Sequence, residues 1–217
     1  MRKLIATVFN YSLDGLPADE GTDVWKYCFS LPENNEPDDP AHLDFLRSAY
    51  AHVMGRAAYE AISRSMTTTA TDHPFADILS AGRKVVFSRT LKSAEWASTT
   101  IAAGDTVEEI DELRRDGDGH IVVWGGVSLW RSLMRLDLID ELRLSLLPYV
   151  AGEGTRLFDG VPASYRLDLV SSTASSSGIV ELHYRRHRWS RHAETTHAGG
   201  HPRTLAHASL SSPCVRP

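Results

Sequence analysis

Apolar residues follow two rhythms along the chain, and the point where one replaces the other divides it. In the first part, short unbroken apolar runs are separated by stretches with helical spacing. Leu4–Phe9 is apolar on both sides of the pleat apart from Thr7, and His52–Met54, Lys84–Phe87 and Ile121–Trp124 are shorter runs of the same kind. Such runs predict strands buried on both faces of a sheet. Between them, Leu43, Phe45, Leu46, Ala49 and Tyr50 form a helical face, and a second helix runs through Tyr59 and Ile62. A short helix over 72–81 ends at Gly82, and a weak strand is predicted over 99–102. Asp39-Pro40 opens the first helix, with Asp as N-cap and Pro at the first helical position. Thr106-Val107-Glu108-Glu109 reads as a capping box, with Ile110 and Leu113 facing inward.

After residue 140 the period becomes two. Leu142, Leu144 and Leu146 alternate with Arg143 and Ser145; Tyr165, Leu167 and Leu169 alternate next; Val180, Leu182 and Tyr184 follow a Ser-rich turn over 171–178. The last two strands read as a hairpin at the sheet edge. Leu16–Asp39 is a long irregular segment around the aromatic island Trp25, Tyr27 and Phe29, of the kind that serves as a lid or substrate loop. The coarse order is β-(lid)-α-β-α-β-β-α-β-α-β-β-β, which predicts a three-layer α/β/α fold. Its central sheet is mostly parallel, with an antiparallel C-terminal edge strand. Residues 1–188 make one domain. Beyond it, 189–217 lose periodicity and are predicted to be a disordered tail, whose His192, His197, His201 and His207 match no metal-ligand spacing.

Composition narrows the class. With 42% hydrophobic residues the chain can bury a real core, and a net charge of -5 with no basic stripe argues against nucleic-acid binding. No run reaches the length of a membrane span. Cys28 and Cys214 form no CxxC pair and no disulfide framework, which points to the cytoplasm.

Candidate chemistry gathers at strand ends. Gly55-Arg56, Ser88-Arg89-Thr90 and Gly125-Gly126 each follow a predicted strand, and in an open parallel sheet those ends share one edge. Two arginines, two hydroxyls and a glycine-opened helix N-terminus suit a polyanion such as a dinucleotide. A tight strand-to-helix connection accounts for the two glycines equally well. Neither the G-x-G-x-x-G fingerprint nor a P-loop is present, which disfavours an ordinary Rossmann or P-loop protein.

Ser12-Leu13-Asp14-Gly15, Met54-Gly55-Arg56 with Tyr59-Glu60, Ser88-Arg89-Thr90-Leu91, Trp124-Gly125-Gly126 and Gly152-Glu153-Gly154 with Leu157-Phe158 occur in that order. Together they resemble the dihydrofolate reductase superfamily. The nearest branch resembles the C-terminal reductase domain of the bifunctional riboflavin-biosynthesis deaminase-reductase. The resemblance covers roughly the first 186 residues. It implies an NADPH-dependent reductase that passes hydride to a C=N or C=O bond of a small polar substrate, pteridine- or pyrimidine-like, and works as a homodimer.

By that resemblance Gly55 and Arg56 lie near the cofactor phosphates, and Ser88, Arg89 and Thr90 contact the adenosine 2′-phosphate. Gly125, Gly126, Val127, Ser128 and Leu129 cradle the pyrophosphate and nicotinamide side, and Asn10 meets the nicotinamide amide through its backbone. Asp14 matches a substrate-side aspartate with a catalytic or substrate-binding role, although an Asp-Gly turn explains it as well. Trp25 offers a ring to stack on a flat heterocycle, or anchors the lid. The chain departs from the family in carrying Ala57-Ala58 where a threonine is usual. The carboxylate motif of dihydrofolate reductases proper is missing from the first helix, which offers only Asp44. No deaminase portion or zinc pattern occurs in the sequence, so a bifunctional enzyme is not expected. The rival reading is a non-catalytic nucleotide-binding or sensing module of the same fold.

Overall fold

The computed structural model describes residues 1–32, 39–69, 72–115, 117–161 and 166–187. The tail with its histidines, Cys214 and Tyr165 therefore lie outside the described residues. In chain order the elements are β1 (Leu4–Tyr11), α1 (Asp23–Ser30), α2 (Pro40–Arg47), β2 (Ala49–Gly55), α3 (Arg56–Arg64), α4 (Pro74–Ala81), β3 (Lys84–Phe87), β4 (Thr99–Ala102), α5 (Thr106–Arg114), β5 (His120–Trp124), α6 (Val127–Arg135), β6 (Glu141–Leu146), β7 (Leu167–Ala174) and β8 (Val180–Arg186). A π-helical turn, Ser65–Thr69, extends α3.

The eight strands form one sheet in the order β4-β3-β2-β5-β1-β6-β8-β7. The first six are parallel, β8 lies antiparallel to β6, and β7 closes the edge antiparallel to β8. Both faces are covered. On one, Ile110, Leu113, Leu129, Trp130, Leu133 and Met134 of α5 and α6 pack on Leu4, Ala6, Val53, Val123, Leu142 and Leu144. On the other, Leu46, Tyr59, Ile78 and Leu79 of α2, α3 and α4 pack on Met54, Val86, Val122 and Trp124. The predicted three-layer architecture is the one observed: double-sided burial explains why the central strands carry no polar alternation. No helix among the described residues is long and apolar enough to cross a membrane.

Several boundaries differ from the pattern-based expectation, each for a local reason. The lid segment is not wholly irregular: Thr22 accepts a hydrogen bond from Trp25 N (3.2 Å) and starts α1, whose Val24 and Cys28 join Leu16, Leu31, Leu147 and Ile179 in a satellite core. Ala49 and Tyr50 belong to β2, because Ala49 pairs with His120 and the Tyr50 ring lies 3.5 Å from the Arg2 guanidinium. Asp105, one residue before the expected Thr106, caps α5 by accepting from Val107 N and Glu108 N (2.9 and 3.2 Å). The Ser-rich turn shrinks because Ser171, Ser172 and Thr173 pair with β8 on the exposed edge strand. Asp39 and Pro40 open α2 as expected, with Asp39 Oδ1 accepting from Ala41 N (3.0 Å).

Beneath α4 lies a buried polar cluster. Lys84 is fully buried, its Nζ donating to the carbonyls of Leu79 and Gly82 (the latter at 2.8 Å) and lying 4.7 Å from the Trp96 ring. Burial brings its pKa down to about 8. His52, 1% exposed, accepts from Trp124 Nε1 at 2.9 Å through Nδ1, which places its own proton on Nε2. Gly82 ends α4 with a negative φ, so left-handed backbone is not its reason for being glycine. A Cβ there would stand 2.8 Å from the His52 ring.

Burial first, then the charges of Lys84 and His120, push the His52 pKa down to about 4. Above the ordinary histidine value the ring is neutral in both folded and unfolded chains and makes no pH-dependent contribution. Between that value and about 4 the unfolded chain takes up a proton that the folded one refuses, so stability falls, by about 3 kcal/mol in all. Urea midpoints measured from pH 7 to pH 4 should therefore drop more steeply for the native chain than for His52→Gln. Equal slopes would contradict the assignment.

Candidate active site

Strand register decides whether the predicted residues meet. Gly55 pairs with Phe87, and Met54 with Trp124, so β3, β2 and β5 end side by side. Their carboxyl-end turns are Ser88-Arg89-Thr90, Gly55-Arg56 and Gly125-Gly126. The rim is joined by direct contacts. Arg56 Nη1 donates to Thr90 Oγ1 (3.0 Å) while its Nε holds Glu60 (2.7 Å). Ser88 Oγ accepts from Thr90 N and Leu91 N (3.2 and 3.0 Å), which folds the turn back on itself. Arg89 is exposed, and its guanidinium has no hydrogen bond or ion pair among the described residues.

Two helices begin on this rim, α3 after Gly55 and α6 after Gly126, and neither has a side chain capping its first turn. Their N-termini touch: a Cβ on Gly126 would stand 3.6 Å from Ala58 Cβ and 3.9 Å from Gly55 N, and one on Gly55 would stand 3.5 Å from Leu129 Cβ. With only a methyl on Ala58, the two helix ends approach closely. Gly126 has φ +88°, a conformation that disfavours any side chain, whereas Gly125 faces open space. Two adjacent first turns present several outward-facing amides, which favour negative charge. Ser128 is exposed beside them and Val127 half-buried, while the Leu129 side chain is core, so only its backbone is open to a ligand.

Asn10 is the residue before the last of β1, the strand next to β5; it has φ +59°, and its carbonyl accepts from Ala18 N (2.9 Å). Asp14 lies in the turn that follows β1, and Trp25 on α1. Asp14 accepts from Ser12 Oγ (2.7 Å), Ala151 N (3.0 Å) and Gly152 N (2.8 Å), and the backbone and hydroxyl donors lower its pKa to about 2. It clamps the turn after β1 to the loop after β6, where Leu157 N also reaches Gly15 O (2.7 Å). Trp25 stands half-buried on α1 against Phe29, ring centroids 4.2 Å apart. Asp14→Asn should loosen that clamp: amide exchange at Ala151 and Gly152 should quicken, with exchange in β5 unchanged. Unaltered protection at both amides would show that the carboxylate does not hold the loop.

A second feature was not anticipated from the sequence. Thr7, in register with both Trp124 of β5 and Arg143 of β6, borders a cavity of about 170 Å³ on the sheet face next to α2. His42 of α2 and Arg143, Ser145, Glu181 and His183 of the sheet also line it. Asp44 does not: it pairs with Arg47 (2.9 Å) and is well exposed. The signal lay in two places, a lone threonine in an apolar run and a polar face on β6, but only strand pairing joins them. No group of three or more His, Cys, Asp or Glu side chains among the described residues could hold a metal ion.

A parallel sheet with its glycines and arginines on one rim, wrapped on both faces and finished by an antiparallel pair, is a dihydrofolate reductase-like fold. The sequence matches the family described as the RibD C-terminal domain over residues 2–181, and the chain belongs to that family. It is 30% identical over 177 residues to YyaP, an uncharacterized protein of Bacillus subtilis (strain 168), covering 80% of this chain and 89% of the relative. Among solved structures, a protein ascribed to riboflavin biosynthesis from Shewanella sp. PV-4 superposes with TM-score 0.69 at 23% identity, over 86% of this chain and 99% of the other. Dihydrofolate reductase from Enterococcus faecalis, complexed with NADP(H), superposes with TM-score 0.53 at 18% identity, over 86% and 97%. The chain therefore has a dihydrofolate reductase-like fold and belongs to the RibD C-terminal domain family.

Proposed function

We propose that the protein is an NADPH-dependent reductase acting on a small polar substrate of the pteridine or pyrimidine class, through a C=N or C=O bond. The observation that carries this is the shared rim, where three neighbouring strand ends bring together two uncapped helix N-termini, an Arg89 without a partner among the described residues, and an open Gly125. In this reading Arg89, with Ser88 and Thr90, meets the adenosine 2′-phosphate, and Gly55 and Arg56 lie beside the phosphates. The amides of Val127, Ser128 and Leu129 behind Gly125 and Gly126 hold the pyrophosphate, and Asn10 approaches the nicotinamide amide. NADPH, when bound, supplies the hydride; the chain aligns donor and acceptor and keeps the site dry.

Asp14 is assigned the substrate side, as a positioning residue that shapes the loop from Ala151 onward. A carboxylate whose pKa is about 2 has no proton to give near neutrality. That same saturation favours the rival reading, a nucleotide-binding module without catalysis. Fluorescence titration with NADPH, followed by NADPH oxidation against pterin and pyrimidinone panels, separates the two. Binding with turnover supports the reductase, and binding without turnover on any substrate supports the module. Absence of binding at millimolar NADPH removes both. Homodimerisation is proposed from the family resemblance, and sedimentation as a monomer would end it.

A further inference from the structure

We infer that the cavity beside α2 is a carboxylate-binding subsite, with Arg143 as its anchor and Thr7 as the second contact. Arg143 is pre-organised. Its guanidinium lies 3.7 Å from the centroid of the Phe45 ring, which is itself stacked on His120 at 4.3 Å and 11°. A guanidinium held over a ring leaves N–H groups for a planar, bidentate partner. No such partner is supplied from within the described residues. Arg143 has no hydrogen bond or ion pair there, and its Nε is buried without one.

The neighbouring acids are already engaged. Glu141 holds Lys3 Nζ at 2.6 Å and His183 Nε2 at 2.9 Å, and Glu181 accepts from Ser145 Oγ at 2.9 Å. Thr7 is 3% exposed, and its Oγ1, one strand from Arg143 in direct register, is likewise buried and unpartnered. Buried polar atoms left unpaired are costly, and both belong to residues that line the cavity, so a ligand that displaces the wall there would complete them.

Charge narrows the ligand. Glu141 and Glu181 flank Arg143, so a monoanion meets less repulsion there than a dianionic phosphate, and its planar carboxylate matches the guanidinium fork. Position gives the site its meaning, since Thr7 is paired with Trp124, the residue immediately before Gly125-Gly126. A carboxylate seated on Arg143 would set the rest of a small acid toward the rim. That this molecule is the hydride acceptor rests on the reductase reading; the subsite itself does not.

The test is calorimetric titration of the full chain with benzoate, with benzamide as its neutral isostere and with inorganic phosphate. Benzoate should bind at least tenfold more tightly than either. Arg143→Lys, which keeps the charge but not the planar fork, should weaken benzoate about tenfold, and Thr7→Val severalfold. Benzoate binding no better than benzamide, phosphate binding tighter than benzoate, or an Arg143→Lys chain with undiminished affinity would each overturn the assignment. A parallel NADPH titration of the native chain keeps the two readings apart. NADPH binding without benzoate binding overturns the subsite alone. Benzoate binding sensitive to Arg143→Lys, without NADPH binding, upholds the subsite and overturns the reductase.

Discussion

Replacing Arg89 by alanine should weaken NADPH binding by about 10- to 100-fold, the worth of a charge-assisted contact to phosphate, and leave NADH binding nearly unchanged. Arg89 is suited to this selectivity because it is not needed for anything else. It is exposed, and no hydrogen bond or ion pair among the described residues depends on it. Arg56 would make a poorer probe, since its loss also releases Glu60 and Thr90. Stability should be almost untouched, so a loss of affinity cannot be ascribed to unfolding. Fluorescence titrations with both cofactors over a range of salt concentrations would measure it. Equal losses for NADPH and NADH would move the 2′-phosphate away from this turn.

The two glycines before α6 should respond in opposite ways. Gly125→Ala places a methyl where no atom lies within 4 Å and at a φ outside the left-handed range. The folded chain should keep its stability, or gain a few tenths of a kcal/mol as the unfolded chain loses freedom. NADPH affinity should nevertheless fall, because that methyl occupies the space through which a pyrophosphate would reach the first-turn amides. Gly126→Val adds a branched side chain at φ +88°, against Ala58 and the backbone of Gly55. It should cost about 1–2 kcal/mol in backbone strain alone and abolish measurable binding. Thermal melts paired with titrations distinguish the two effects. A Gly125→Ala chain that binds NADPH as the native one does would mean that the rim is only a connection between β5 and α6.

How far the site could be read in advance depended on the range of the interactions that make it. Lys84–Phe87 and Ile121–Trp124 are unbroken apolar runs, and each declares a strand with both faces buried. Parallel strands so placed turn their carboxyl ends to one edge, so Gly55, Ser88 and Gly125 could be grouped without coordinates. Asp14 could not be judged that way. Its partners Ala151 and Gly152 are more than a hundred residues distant, and only the fold brings their amides to its carboxylate. The helix within Leu16–Asp39 was obscured because its apolar face, Val24 and Cys28, is narrow and finds its cover on Leu147 and Ile179.

Local patterning alone, then, was enough to determine the α/β layers, the order of the strand-to-helix units and the residues at their turns, because burial on two faces and helix capping act between near neighbours. Tertiary structure decided what those residues face. Register across β5, β1 and β6 aligns Trp124, Thr7 and Arg143 along one row of the sheet, and Phe45 of α2 pins the guanidinium from above. A one-residue slip of β6 would turn Arg143 to the opposite face, and no property of the segment taken by itself prevents that slip; the cores on both sides of the sheet do.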